Sequence, residues 1–206
     1  RLSQVAHVSR LELVAASQAG SGDAVKFLFG LPSGERVESV LIVDRGRRTA
    51  CLSSQVGCAL GCRFCATARM GFVRQLGAAQ IVDQLLQVGT WVAGRGERVT
   101  NVVLMGMGEP LLNYEAVTRA ARLMRLELGP GIGGRKITLS TAGIVPQIRR
   151  LAQEDLNIGL AISLNATTDE QRQQLMPIAR RYPLQELLAA ARDFHRIGGR
   201  RVTLEY

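Results

Sequence analysis

From about residue 45 onward, short runs of apolar residues alternate with longer amphipathic runs. Helices are predicted over residues 78–92, 114–126, 145–152, 169–175 and 184–194, and strands over residues 101–105, 136–140, 158–164 and 201–206. With the strand that leads to the first cysteines, this pattern makes five β/α steps. Alternating strands and helices form a parallel sheet with right-handed crossovers, and ligands bind at the carboxyl ends of its strands. The sequence therefore predicts an α/β fold with its site along one edge of a parallel sheet.

The first 44 residues are predicted to form a leader before this core. A short helix is predicted over the first twenty residues from the apolar residues Val5, Val8, Leu11 and Leu13. Residues 24–31 and 35–43 are predicted strands, joined by a Pro-Ser-Gly turn sequence at 32–34 that is typical of a β-hairpin. We therefore divide the chain into residues 1–44, the end of an accessory domain, and a core over residues 45–206.

Three cysteines, Cys58, Cys62 and Cys65, form a C-x3-C-x2-C run after the first core strand. A tetrahedral metal site needs four ligands, whereas a [4Fe-4S] cluster has four irons, so three thiolates leave one iron open to another ligand. Disulfides are disfavoured because a chain of 206 residues, 47% of them hydrophobic, needs no covalent staples. A structural zinc site is disfavoured because the two histidines, His7 and His195, lie far along the chain.

The composition limits the partners. The net charge is +9, and the arginine doublets are typical of solvated faces, whereas Arg69 and Arg74 lie beside the cysteine run and are expected to contact RNA. No apolar run approaches the roughly 20 residues that cross a bilayer, and no basic-then-apolar leader opens the chain. We expect a cytoplasmic monomer without membrane contact, in a reducing compartment that keeps thiols available.

Short polar groups fall at the predicted strand ends. The polar side chains are those of Glu109, Ser140, Ser163 and Asn165, with Gly108 beside Glu109. Hydroxyl and amide groups on one rim suit the carboxylate and ribose of a cofactor, although serine and asparagine form turns and helix caps just as readily. The carboxylate of Glu109 either accepts a hydrogen bond from an ammonium group or caps the following helix.

Two further residues lie outside the cysteine spacing. Cys51 is seven residues before Cys58, and a lone strand cysteine is more often a small core residue than a nucleophile. Glu38, near the end of the hairpin, is most simply a surface carboxylate. Their residue types alone assign neither one a function.

Residues 51–65 (CLSSQVGCALGCRFC), with Phe64 between the last two cysteines, resemble the cluster loop of radical S-adenosylmethionine (SAM) enzymes. With residues 70–74 (MGFVR), they closely resemble one radical-SAM family. Four later segments are similar to that family in the same order: 106–113 (GMGEPLLN), 139–143 (LSTAG), 161–166 (AISLNA) and 202–206 (VTLEY). It is the family of RlmN-type adenine-C2 methyltransferases, which modify 23S rRNA and certain tRNAs. The match spans about residue 25 to the end.

The resemblance implies a partial (β/α) radical-SAM barrel and two cofactors, a [4Fe-4S] cluster and SAM. Cys58, Cys62 and Cys65 would hold the cluster, and its fourth iron would chelate SAM. An electron from a donor such as flavodoxin would then cleave SAM to a 5′-deoxyadenosyl radical. The residues implied to bind SAM are Gly108, Glu109, Ser140, Ser163, Leu164 and Asn165.

The resemblance also implies a route through a covalent intermediate. A cysteine near the C-terminus is methylated by one SAM, and the radical from a second SAM removes hydrogen from that methyl group. The carbon radical adds to C2 of adenine, which is not electrophilic enough for polar methyl transfer. Cys51 matches the thiol that resolves the adduct and leaves a disulfide, and Glu38 matches the carboxylate that accepts the C2 proton.

Two departures from the family pattern affect these expectations. Many relatives carry histidine where this chain has Asn165, which leaves that contact to SAM open. The chain begins without methionine and ends on a strand without a covering helix, so we expect it to be an excerpt that lacks the C-terminal part of the barrel. The methyl-carrying cysteine would lie beyond Tyr206, and we expect no RNA methylation unless that segment is restored.

Two alternatives stay open. One is the sister family that methylates C8 of the same rRNA adenine with the same cluster and resolving thiol, although the string from Cys51 to Cys65 and the following Ala66-Thr67 favour C2. The other is a zinc-stabilised RNA-binding module without catalysis. Mass spectrometry of modified rRNA fragments distinguishes C2 from C8 methylation. Anaerobic loading with iron distinguishes the radical-SAM enzyme from the zinc-stabilised module.

Overall fold

Ten strands and six α-helices make up residues 11–206, the part of the chain that this computed structural model describes. The strands are β1 (Glu12–Gln18), β2 (Ala24–Gly30), β3 (Arg36–Asp44), β4 (Arg47–Cys51), β5 (Gln55–Gly57), β6 (Phe72–Gln75), β7 (Asn101–Leu104), β8 (Ile137–Thr141), β9 (Gly159–Ser163) and β10 (Val202–Glu205). The helices are α1 (Ala66–Arg69), α2 (Ala78–Ala93), α3 (Tyr114–Met124), α4 (Val145–Ala152), α5 (Asp169–Leu175) and α6 (Leu184–Gly198).

Eight of these strands form one sheet in the order β1-β2-β3-β4-β7-β8-β9-β10. The pairs from β1 to β4 are antiparallel, and the pairs from β4 through β7, β8 and β9 to β10 are parallel. The parallel half confirms the predicted α/β fold and its five β/α strands. It also brings five strand ends, distant in sequence, to one edge of the sheet.

The predicted hairpin forms from β2 and β3. Their turn is closed by hydrogen bonds from Leu31 N to Glu35 O and from Gly34 N to Leu31 O, both 2.9 Å, and Gly34 has φ +95°. Alternate residues of β2, including Phe27 and Phe29, point into the core. Turn chemistry and period-two alternation therefore agree here, which explains why this prediction succeeds.

The predicted N-terminal helix is wrong where it can be compared. Residues 12–18 form β1, an edge strand that pairs antiparallel with β2, and the positions before Leu11 lie outside the described residues. All seven β1 residues are exposed. The secondary structure of residues 12–18 is therefore set by backbone pairing with the edge of β2 and not by the spacing of their apolar residues.

The helices of the core pack through faces with helical spacing. Leu187, Ala190, Ala191 and Phe194 give α6 a continuous buried face against α4, while α2 packs on α3. Phe27 of the hairpin makes an edge contact with Trp91 of α2, at 5.4 Å between ring centroids. The leader and the core therefore share one hydrophobic cluster. The division at residue 44 stays a prediction.

Two short strands within the cysteine segment were not predicted. β5 and β6 pair antiparallel as a separate two-stranded sheet, and the single-turn helix α1 lies between them. Three- and four-residue strands are too short to show a period in sequence. Over residues 11–206, no helix has the length and apolar character needed to cross a membrane.

Candidate active site

A cleft of about 390 Å³ opens at the carboxyl ends of the parallel strands. All three cysteines of the C-x3-C-x2-C run line it. The strand-end residues that join them are Gly108, Glu109, Ser140 and Ser163. The fold therefore brings the predicted cluster ligands and most of the predicted SAM-binding positions to one place.

The cysteine loop is held by backbone hydrogen bonds. Cys58 N donates to Gly71 O at 3.0 Å, and Cys65 N donates to Cys62 O at 3.1 Å. Gly57 has φ +71°, and a Cβ on it would lie 1.8 Å from Gly71 O. Only glycine fits this position, because the carbonyl group of Gly71 lies against it.

Burial disfavours the charged form of two thiols in the cysteine run, Cys58 and Cys62. All four cysteines of the chain are free thiols, so the disulfide implied by the family resemblance is not formed among them. Burial raises the pKa of Cys58, and burial together with the neighbouring Cys58 and Cys65 thiols raises the pKa of Cys62 to about 11. A bound cation that compensates three thiolates would remove this cost.

Three thiols on one wall of a cleft are compatible with the ligand set of a [4Fe-4S] cluster. Within residues 11–206, no three His, Cys, Asp or Glu side chains converge on a point where one metal ion would sit. In a [4Fe-4S] cluster each thiolate binds a different iron, so the ligands spread over one wall of a cavity. Three free thiols on the wall of one cleft fit that requirement.

The loop after β7 lies directly on the segment before the cysteines. A Cβ on Gly108, which has φ +97°, would lie 2.5 Å from Gln55 Cβ, and one on Gly106 would lie 2.7 Å from Ser53 Oγ. Gln55 Oε1 accepts a hydrogen bond from Glu109 N at 2.7 Å. Glycine at both positions lets the backbone approach this closely and keeps the cleft open.

Glu109 is buried, with an exposed fraction of 3%. Its carboxylate accepts hydrogen bonds from Leu111 N at 3.0 Å and from Ala142 N at 2.7 Å. The capping alternative is therefore observed, and the same carboxylate also ties the end of β7 to the loop after β8. Burial raises the pKa of Glu109.

Glu205 is a cleft residue that sequence reasoning missed. Its Oε2 atom accepts hydrogen bonds from Ser140 Oγ at 3.0 Å and from Ser163 Oγ at 3.1 Å. Its backbone carbonyl accepts from Leu164 N at 2.8 Å and from Asn165 N at 3.1 Å. Glu205 is the last residue of β10, so the rule that picked out the other strand ends applies to it equally.

Asn165 follows the end of β9 and contacts a residue of the cleft wall. Its φ is +57°, and its Nδ2 atom lies 3.4 Å from Met176 Sδ, which is itself a cleft-lining residue. Neither Leu164 nor Asn165 lines the cleft in the described structure. Their backbone nitrogens shape the end of β9 instead.

Cys51 and Glu38 lie close to the cleft but do not line it. Cys51 ends β4 and is 9% exposed, and burial raises its pKa to about 11. Glu38 lies in β3, and its Oε1 atom is 3.1 Å from Lys26 Nζ. Glu38 is nevertheless connected to the loop after β7 through Ser53. The Ser53 hydroxyl donates a hydrogen bond to Glu38 O at 2.5 Å and accepts one from Met107 N at 2.8 Å.

A buried arginine supports the rim from below. Arg172 of α5 has an exposed fraction of 0%, and donates from Nη2 to Ala142 O at 2.5 Å and from Nε to Leu164 O at 3.2 Å. Its Nη1 atom has no hydrogen-bond partner among residues 11–206. Burial lowers the pKa of Arg172. Sequence gives no signal for this residue, since arginine within a polar helical run predicts exposure.

The basic residues next to the cysteine loop have different surroundings. Arg74 Nε lies 3.0 Å from Glu35 Oε1, and this hydrogen bond lowers the pKa of Glu35 to about 2. Arg74 is thus bound to the hairpin, whereas Arg69 is exposed. The expected RNA contact at both arginines stays a prediction.

The comparisons with known proteins agree with this geometry. The family model described as the radical SAM superfamily matches residues 52–206. The chain belongs to the radical SAM superfamily. Members of this superfamily use a [4Fe-4S] cluster and SAM, so the three thiols and the strand-end groups of the cleft have a shared purpose.

Similar radical-SAM proteins carry more specific names. A probable dual-specificity RNA methyltransferase RlmN from Moorella thermoacetica is 50% identical over 211 residues, covering 100% of this chain and 60% of the relative. One with the same name from Symbiobacterium thermophilum is 53% identical over 181 residues, covering 88% of this chain and 48% of the relative. The chain spans about 60% or less of these relatives.

A solved radical-SAM structure matches the fold closely. It is the crystal structure of a radical SAM methyltransferase from Sphaerobacter thermophilus, with a TM-score of 0.96 and 44% sequence identity. The match covers 100% of this chain and 60% of that one. This agreement confirms the partial radical-SAM fold predicted from the sequence motifs.

Proposed function

We propose that the protein to which this chain belongs is a radical-SAM RNA methyltransferase that methylates C2 of an adenine in 23S rRNA, with tRNA as a second substrate. The observation that carries the proposal is the shared cleft, where three free thiols meet the polar ends of β7, β8, β9 and β10. The similarity to relatives named as dual-specificity RNA methyltransferases supports RNA as the substrate.

The cleft residues divide into two groups. Cys58, Cys62 and Cys65 hold the cluster, and when bound, cluster and SAM supply a one-electron cleavage that yields a carbon radical. Glu109 and Ser140, with the backbone around Gly108, orient SAM against it. The glycines after β7 let this loop pack directly on residues 52–55, because a Cβ at either position would collide with that segment.

Cys51 is proposed as the thiol that resolves the covalent adduct. It precedes the cysteine loop on β4, and its thiol interacts with the backbone at Met105, a residue that lines the cleft. Burial raises the pKa of Cys51 to about 11, so the thiol is protonated near neutral pH.

Glu38 is proposed as the acceptor of the C2 proton. Its strand is fixed to the loop after β7 through Ser53, which keeps it at one edge of the site. The ion pair with Lys26 would have to open for the carboxylate to reach a substrate base. A base in helical RNA must likewise leave its stack to reach a radical centre.

The experiment uses the full-length parent protein, purified and reconstituted without oxygen. We expect about four irons per chain and SAM cleavage, and expect both to disappear in Cys62→Ala. Cys51→Ala is the matched control: we expect it to keep the cluster and cleave SAM but to accumulate a protein–RNA adduct, visible by mass spectrometry.

Mass spectrometry of the modified rRNA fragment decides between C2 and C8 of adenine, the sister activity. Stoichiometric zinc with no SAM cleavage in the reconstituted wild type would show the non-catalytic RNA-binding module instead. Methylation at C8, or zinc binding without SAM cleavage, would contradict the proposed C2 methyltransferase.

A further inference from the structure

The guanidinium of Arg172 is a fully buried charge without a carboxylate beside it. Its Nε and Nη2 atoms donate to the backbone carbonyls of Leu164 and Ala142, which are neutral acceptors. Within residues 11–206, no carboxylate forms an ion pair with Arg172. The fold therefore buries a positive charge that neutral oxygens solvate in part.

A buried charge of this kind requires compensation from an opposite charge. The Nη1 atom of Arg172 lacks even a neutral partner in the part of the chain that the structure describes. Burial lowers the pKa of Arg172, whereas the negative charges of Asp169 and of the Cys62 thiolate act in the opposite direction. The Asp169 carboxylate accepts a hydrogen bond from Leu184 N at 2.8 Å and is engaged there. Negative charge on the cysteine run is thus the second source of compensation.

Hydrogen bonds join the segment that carries Arg172 to the cysteine loop. The backbone nitrogen of Arg63, the residue after Cys62, donates to Leu175 O at 2.9 Å at the end of α5. Met176 N donates to Arg172 O at 2.8 Å, and Met176 lines the same cleft as the three thiols. The buried guanidinium and the cysteine run are therefore held in a fixed relation by α5.

We propose that Arg172 is a positioning residue whose buried positive charge compensates the thiolates of the cysteine run and raises the reduction potential of the cluster that they hold. The inference rests on the proposed function, in which that cluster is [4Fe-4S]. With three thiolates, an oxidised [4Fe-4S]²⁺ core has one net negative charge, and one electron from a reductant adds a second. A fixed buried cation favours the more negative, reduced form.

The test measures the reduction potential of the cluster in the full-length protein, reconstituted without oxygen and without SAM. A low-potential reductant such as dithionite supplies the electron, and electron paramagnetic resonance follows the reduced form. Arg172→Met removes the charge and keeps an unbranched side chain. We expect its equilibrium constant for one-electron reduction to fall about tenfold, a shift of about 59 mV to more negative potential.

Two further variants separate charge from packing. Arg172→Lys keeps the charge, and its equilibrium constant should stay within about threefold of wild type. Arg180→Met, at an exposed position after α5, is the control and should leave the potential unchanged, because water screens an exposed charge. A purely structural role predicts the opposite sign, since a loosened cysteine loop admits water, which stabilises the more highly charged reduced form.

The failures can be told apart. Wild type that holds no iron and cleaves no SAM contradicts the proposed function itself. Wild type that holds the cluster, with Arg172→Met at an unchanged or more positive potential, overturns only the role of Arg172. Equal negative shifts in Arg172→Met and Arg172→Lys, or in Arg172→Met and Arg180→Met, also overturn it.

A variant that cannot hold the cluster still gives an answer. If Arg172→Met loses iron, Arg172→Gln replaces it, because glutamine retains an N–H donor for one of the two carbonyls. Loss of iron in both neutral variants, with iron retained in Arg172→Lys, supports the need for the charge. Loss of iron in all three variants overturns it, because the shape of the guanidinium and not its charge would then be required.

Discussion

The antiparallel and parallel halves of the sheet use their polar side chains differently. In the hairpin of β2 and β3, charged groups pair at the surface, as Lys26 does with Glu38. In the parallel half, Glu109, Arg172 and Glu205 are held by backbone or hydroxyl groups from other strands. Removing a surface ion pair of the hairpin should change the free energy of unfolding little. The buried hydrogen bonds of the parallel half hold the walls of the cleft in place.

The reason for the difference is topological. Hairpin strands are neighbours in sequence and leave one face to solvent, so their side chains find partners locally. The ends of parallel strands are brought together only by crossovers, and their orphan backbone groups need partners from elsewhere in the chain. A cleft formed by such strand ends is therefore sensitive to mutation and is lined by several polar groups.

We expect the largest difference in stability and iron binding between alanine substitutions at two glycines with positive φ. Gly57→Ala places a Cβ 1.8 Å from Gly71 O beside the cysteine loop, whereas Gly34→Ala in the hairpin turn meets no atom within 4 Å. We expect about 3 kcal/mol or more of destabilisation and loss of iron binding for Gly57→Ala. Gly34→Ala should cost about 1 kcal/mol and keep the iron.

Denaturant unfolding and iron content measure both variants in the full-length protein. Equal destabilisation of the two would show that backbone conformation, and not the contact with β6, limits the cysteine loop. The comparison between the two halves would then lose its strongest support.

A smaller contrast is expected between two cations. Arg172→Met leaves Ala142 O and Leu164 O without their donor in a buried place, and should lower the free energy of unfolding by about 2–3 kcal/mol. Lys26→Met breaks an ion pair whose side chains are 54% and 46% exposed, and should change it by less than about 1 kcal/mol. Urea titrations at neutral pH compare the two, and a smaller loss for Arg172→Met than for Lys26→Met would contradict this view.

The smallest effect is a difference in pH dependence between two carboxylates. The pKa of Glu35 is lowered from 4.5 to about 2 by its hydrogen bond with Arg74, so its contribution to stability is present above 4.5 and is lost as pH falls through about 2. The pKa of Glu109 is raised by burial, so its contribution is full below 4.5 and is lost as pH rises through the raised value.

Glu35→Gln and Glu109→Gln separate these slopes. Relative to wild type, Glu35→Gln should be least stable above pH 4.5, with the difference closing in acid. Glu109→Gln should lose the decline in stability that wild type shows as pH rises above 4.5. Thermal unfolding from pH 2 to 7 measures both, and slopes of the same sign in the two variants would refute the assignment.

Much of the fold was accessible from sequence, because its signals are local. The helix over Val145–Ala152 and the helix over Asp169–Leu175 were predicted with their observed bounds. The hairpin followed from its turn sequence and alternation. β1 was misread as helix because edge-strand pairing leaves no strong period, and β5 and β6 were missed because they are short.

The site was accessible in part. The cysteine spacing and the strand-end rule found Cys58, Glu109, Ser140 and Ser163, all of which line the cleft. The same rule picked out Asn165, and the family resemblance added Leu164; neither lines the cleft, and Asn165, in a left-handed conformation, contacts Met176. Backbone dihedral angles at a strand end depend on the neighbouring strand, which sequence does not show.

By itself, the sequence determined the three-cysteine loop and the order of strands and helices, because both depend on spacing along the chain. Only the tertiary structure decided that Ser140 and Glu205, 65 positions apart, share a hydrogen bond, and that Arg172 is buried beneath the same rim. These pairings depend on which strand ends the parallel sheet brings side by side.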